Sequence, residues 1–174
     1  MEQRAARQAL VFLQSYGISP ALSMKIYKAF GDATQAVVRA NPYALVQRVE
    51  GIGFKTADAI AHSLGIEPES PERLACALEY VLGEASAASG HMYLPREELV
   101  QETARLTGAP AALIDDQLRT LRLIGRIVVQ AVDGQEAVYL ARLYEAEVEV
   151  ARRLSLLIRM APKAIGAEGI AAYE

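Results

Sequence analysis

The chain has 174 residues, 52% of them apolar, and 18 Lys and Arg against 21 Asp and Glu give a formal net charge of -3. One cysteine, Cys76, excludes an internal disulfide framework and fits a reducing compartment, and no apolar run reaches the roughly eighteen residues that suggest a membrane span. An acidic chain has no global attraction for nucleic acid, so DNA binding requires a local device; residues 1 to 75, with 8 basic and 7 acidic side chains, repel phosphate less than residues 76 to 174, with 10 and 14.

The start, MEQRAARQALVFL, is an amphipathic helix pattern without the apolar region or cleavage site of a secretory signal, and a cytoplasmic location is the default. Gly17, Gly31, Pro42, Gly51, Gly53, Gly65 and Pro71 then leave room only for short helices with tight turns. GISPALSMKIYKAFG, residues 17 to 31, aligns without a gap on GIGFKTADAIAHSLG, residues 51 to 65, so the unit is duplicated at an offset of 34 residues. Each copy reads as a helix, a sharp Gly-Ile turn, a second helix and a closing glycine where a C-cap is needed. In the second copy Asn41 is the expected N-cap of a short leading helix that starts at Pro42. Ile18, Ile26, Ile52 and Ile60 should be buried where the two hairpins pack. Ala57, Ile60, Ala61 and Leu64 recur at helical spacing, as a stripe facing the other copy.

Ser70-Pro71 opens a helix that Gly90 ends and in which Cys76 is a small core residue; Leu94-Pro95 opens a second, ended by Gly108, and a third runs from about Pro110 to Ile124. RIVVQ and EAVYL flank Asp133-Gly134, which favours a type I' turn, with Ile127 and Val129 on one strand face and Val128 on the other. Three helices followed by a β-hairpin is winged-helix order. An amphipathic tail helix follows, and residues beyond Pro162 read as a frayed linker. The expected fold is mainly α, with a tandem helix-hairpin-helix unit over 1–69, a winged-helix-like domain over 70–141, and a C-terminal helix and linker over 142–174.

The segment Val49 to Ala57 carries the strongest chemistry. Two glycines around one aliphatic residue at the mouth of a helix let a backbone phosphate approach, helix-start amides favour the anion, and Lys55 in the first turn adds a point charge. Such contacts hold sugar-phosphate without reading bases. Replacing Gly53 by Val should therefore reduce both binding and stability. In the first copy Ser19-Pro20 stands in place of Gly53-Phe54 and Ala21 in place of Lys55, so cationic help must come from Lys25 or Lys28. A nucleotide phosphate loop fails on spacing, with Val49 and Phe54 where glycines are required, and the dinucleotide fingerprint lacks its third glycine. His62 and His91 are too isolated for a metal site, and the adjacent Asp115 and Asp116 diverge on a helix as a solvated edge. Those two carboxylates oppose a DNA-reading role for the third helix of the winged part, despite Arg119, Arg122 and Arg126 nearby.

On FLQSYGISPALSMKIYKAFG, NPYALVQRVEGIGFKTADAIA with LGI after it, GHMYLP, and LYEAE near the end, the chain resembles the amino-terminal region of RecD-like DNA helicases, relatives of the exonuclease V alpha subunit. The resemblance spans roughly residues 5 to 155 and is most specific over Gly51 to Ala61. It implies an ATP-dependent helicase moving 5' to 3' on single-stranded DNA, active in DNA repair and recombination, with ATP and magnesium handled by a later motor domain; the residues here hold no cofactor and no catalytic group and should hydrolyse no ATP. Expected partners are DNA, as a single strand or junction held by its backbone, the parent's own motor domains and other repair proteins, with no membrane. The resemblance carries DNA contact onto Gly51, Ile52, Gly53, Lys55 and Thr56, and, across the departure at Ser19-Pro20, less firmly onto Gly17, Ile18, Ser19 and Lys25. The rival readings are an interaction module whose hairpins serve only packing, and an excision glycosylase, which lacks the aspartate it would need after the hairpin: the loop from Gly65 to Pro71 offers Glu67 and Glu69.

Overall fold

The structure, a computed structural model, describes residues 2–160. Its elements in order are α1 (Glu2–Ser15), α2 (Pro20–Phe30), a 3-10 turn (Gly31–Ala33), α3 (Thr34–Ala40), α4 (Ala44–Arg48), α5 (Phe54–Ser63), α6 (Pro71–Ser89), β1 (Tyr93–Pro95), α7 (Arg96–Thr107), α8 (Ala111–Leu123), β2 (Ile127–Val132), β3 (Gln135–Leu140) and α9 (Ala141–Met160). The fold is mainly α with one β-hairpin, as the sequence pattern requires. The linker expected beyond Pro162 lies outside the described residues. None of the described helices is long and apolar enough to cross a membrane.

The duplication appears in the backbone. Gly17 and Gly51 have φ of 77° and 94°, and Gly31 and Gly65 have 54° and 73°, so both the sharp turn and the closing glycine repeat at the same offset. At these positive angles a Cβ is strained, which is the physical reason glycine stands at all four. Ile18, Ile26, Ile52 and Ile60 are all buried and share one core with Leu13, Val38, Leu45 and Val49.

Two expectations for the second copy need correction. The helix expected to start at Pro42 starts at Ala44, because the Asn41 side chain accepts from the Tyr43 amide at 3.0 Å and forms a local turn, making Asn41 the C-cap of α3. The stripe on α5 also divides. Ile60 and Leu64 face the other hairpin, but Ala57 and Ala61 pack with Tyr43, Phe54, Cys76 and Ala77 in a second core between the hairpin and α6. A helix covered on two sides needs two apolar faces, and α6 covers the second.

The later elements bury a third core around Leu78, Leu99, Ile114, Leu121, Ile127 and Val138. Asp133 and Gly134, with φ of 49° and 80°, form the tip of the β2–β3 hairpin, and the positive angles at both positions are those of a type I' turn. Ile127 is buried and Val129 packs against the same core, the alternation that period two demands. β1 joins the sheet antiparallel to β3, giving the order β1-β3-β2. The three helices and the hairpin occur in the chain order the sequence pattern predicts, with this short strand added.

Ionic and hydrogen-bonded contacts tie α6 to both halves. Arg73 donates to Asp58 Oδ1 at 2.7 Å and Oδ2 at 3.1 Å, and its Nη1 reaches the carbonyls of Pro68 at 2.7 Å and Thr107 at 3.0 Å. The Tyr43 hydroxyl donates to the same Asp58 oxygen at 2.7 Å. Near the middle of the helix Arg126 pairs with Glu79.

Candidate functional site

The turn of the second hairpin alternates strictly between inside and outside. Ile52 is buried, Gly53 is exposed, Phe54 is buried and Lys55 is exposed. The Ile52 amide donates to Val49 O at 3.2 Å and its side chain enters the hairpin core, while the Phe54 ring stacks between Tyr43 and Tyr80 at centroid distances of 6.1 and 5.7 Å. Two buried side chains therefore clamp the turn and push Gly53 and Lys55 outward. Gly53 is the N-cap of α5 and supplies no side-chain cap; the Gly53, Phe54 and Lys55 amides meet no acceptor among the described residues, and the Ala57 amide is the first to bond back, to Gly53 O at 3.2 Å.

The two glycines differ. Gly51 has φ of 94°, and a Cβ there would stand 3.8 Å from Leu22 Cδ1; Gly53 has φ of -99° and ψ of 177°, with open space where a Cβ would lie. The expected strain at Gly53 is therefore absent, since any residue adopts extended backbone. Gly51→Val should cost about 1–3 kcal/mol through its positive φ. Gly53→Val should cost no more than about 1 kcal/mol, the difference between glycine and a branched residue at an N-cap. Thermal unfolding of both variants checks this, and a Gly53→Val protein less stable than Gly51→Val would contradict it.

The remaining residues expected at the site divide between two turns. Thr56 is half-buried in the first turn of α5. Lys25, on α2, reaches the second hairpin, its Nζ donating to Glu50 O at 3.4 Å; an uncharged carbonyl leaves its charge uncompensated. Gly17 and the buried Ile18 form the first turn, where Ser19 caps α2 by accepting from the Leu22 amide at 3.4 Å and Pro20 has no amide to offer. The first hairpin thus consumes one helix-start donor on itself and lacks another. It offers fewer free helix-start donors than the second turn, and Lys25 of its own second helix stands beside that second turn.

Charges around the second turn are arranged unevenly. Lys55 makes no ion pair among the described residues and stands at the edge of a groove of about 680 Å³ between α5, α6 and α7 that also holds Glu84, Glu98 and Glu102. On its other side Gly53 borders a cleft of about 510 Å³, shared with Gln47, Tyr80, Arg126 and Arg142. Sequence reasoning missed Phe54 as an anchor and Arg142 as a neighbour. An aromatic at helical spacing could have signalled the first; nothing local signals the second.

Other chemistry is thin. No strand precedes Gly51, since α4 leads into it, so these residues do not fit a nucleotide phosphate loop. No group of three or more potential metal ligands occurs among the described residues, and His62 and His91 are exposed. Asp115 pairs with Arg96 at 3.0 Å and Asp116 with Arg119 at 2.6 Å, on diverging faces of α8. Burial, helped by the charge of Glu79, pushes the Cys76 thiol up to about 12, so no thiolate nucleophile forms there.

Residues 2–93 match the family described as the ATP-dependent RecD2 DNA helicase HHH domain. An ATP-dependent RecD2 DNA helicase from Deinococcus radiodurans is 29% identical over 173 residues, an alignment that covers 92% of this chain and 24% of that relative. The chain thus spans about a quarter of the relative's length.

Proposed function

Because the chain belongs to the ATP-dependent RecD2 DNA helicase HHH domain family, we propose that it is the accessory region of a RecD-like 5' to 3' helicase and that it grips DNA by its backbone without reading sequence. ATP and magnesium serve the motor of the longer parent, and no step of that chemistry passes through the residues described here. Residues 1–69 act as the DNA-binding unit. Residues 70–141 form a winged-helix-like spacer, and 142–174 lead toward the motor.

The observation that carries this reading is the clamp at the second turn: buried Ile52 and Phe54 present on one exposed edge Gly53, neighbouring amides without an acceptor and Lys55 without an ion pair among the described residues. With one to three phosphates engaged on an acidic chain, the dissociation constant should lie at about 10⁻⁴ to 10⁻⁶ M. It should rise steeply with salt and hardly change between scrambled oligonucleotides. Fluorescence anisotropy of labelled single strands and forked duplexes, titrated from low to moderate salt, checks both expectations.

A second reading rests on Leu123 and Ile124, 86% and 61% exposed at the end of α8. An exposed apolar edge suits a protein partner better than phosphate. On that reading the chain docks the helicase body or another repair protein, and the same titration shows no binding even at low salt.

A further inference from the structure

The two hollows beside the second hairpin decide which way a bound strand can run. Glu102 in the groove next to Lys55 is paired with Arg105, but Glu84 and Glu98 make no ion pair among the described residues, so a phosphodiester continuing into that groove meets like charge. The cleft on the other side of Gly53 has the opposite balance. Its carboxylate, Glu79, is held by Arg126, and Arg142 stands exposed at the start of α9 with no hydrogen bond or ion pair among the described residues. Gly53 gives this cleft a wall of bare backbone, with open space where a side chain would stand.

We propose that Arg142 is a second phosphate-binding residue, which takes a further phosphodiester of the strand held at Gly53 and Lys55, so that the DNA backbone crosses the cleft from the hairpin to the start of α9. A planar guanidinium suits two phosphate oxygens at once, and an unpaired one beside a backbone wall gives up no existing contact to bind. The inference rests on the proposed backbone grip, which it extends from one side of Gly53 to the other. It also places the first residues of α9, outside the duplicated unit, in the DNA path.

The test is a salt titration of the 174-residue chain on a labelled single strand, comparing wild type with Arg142→Ala, Arg142→Lys and Lys55→Ala. Losing one phosphate contact on a single strand should remove about 0.7 from the slope of log K against log salt, which corresponds to about fivefold weaker binding at about 0.1 M salt. Arg142→Ala should show this loss with an unchanged unfolding temperature, and Arg142→Lys should recover most of the slope. If Lys55→Ala loses slope while Arg142→Ala matches wild type, the path across the cleft is wrong and the hairpin grip stands. If neither variant changes the slope, both fail.

Discussion

Phe54→Ala is expected to destabilise the chain by about 3–5 kcal/mol, the usual range for removing a fully buried aromatic side chain. Phe54 is 1% exposed and its ring lies between those of Tyr43 and Tyr80, in the core that joins the second hairpin to α6. The loss combines transfer of the ring to water with a cavity that three different elements would have to close. Ile60→Val, equally buried on the other face of α5, removes one methylene and should cost only about 0.5–1.5 kcal/mol. Urea unfolding of both variants gives the comparison. A Phe54→Ala cost below about 1 kcal/mol would mean that the bridging core does not hold the turn, and with it the reason Gly53 and Lys55 face outward would fail.

Arg73→Ala should cost about 2–4 kcal/mol. Breaking a buried pair leaves an uncompensated charge, and the figure is reduced from the fully buried range because the side chains of Arg73 and Asp58 are 13% and 27% exposed. The arginine also serves two backbone carbonyls, Pro68 in the loop before α6 and Thr107 at the end of α7, which lose their donor. Burial pushes the Asp58 carboxyl up, but hydrogen bonds from Arg73 and Tyr43 outweigh it and hold the group below the usual carboxylate range. A carboxyl with a depressed value in the folded state contributes stability that is fully present above its unfolded value of about 4 and is lost as pH falls through the folded value. Wild type should therefore lose stability on acidification below about pH 4, and Asp58→Asn, less stable at neutral pH, should show a flatter acid limb. Stability curves from pH 7 to pH 2 test the sign, and a parallel acid limb in the two proteins would remove Asp58 as a source.

The duplicated plan was legible because it is written in local terms. Gly17 and Gly51 are needed at positive φ, Gly31 and Gly65 close the helices, and the four isoleucines recur at matching places, so the hairpin core follows from spacing alone. The β-hairpin was equally plain, since Asp-Gly between β-branched runs fits few other structures. β1 was not legible: three residues ending in proline are too short to show a period, and only pairing with β3 makes them a strand. The division of the α5 stripe escaped for another reason, because an apolar stripe does not reveal how many neighbours it meets. At the candidate site the glycines and Lys55 could be read from the motif, but the difference between Gly51 and Gly53 required dihedral angles. Arg142 reaches the cleft through the whole path of the chain, and no short-range pattern announces such a contact.

The most direct test of the backbone grip is the slope of log K against log salt for DNA binding by wild type and Lys55→Ala, measured on one duplex and one single strand. Lys55 is exposed and makes no ion pair among the described residues, so its removal should leave the unfolding temperature within error. The slope should fall by about one unit on duplex, since one lost phosphate contact retains about 0.9 of a counterion, and by about 0.7 on the single strand. Equal affinity and equal slope for the two proteins would contradict the grip and leave the hairpins as packing units of an interaction module.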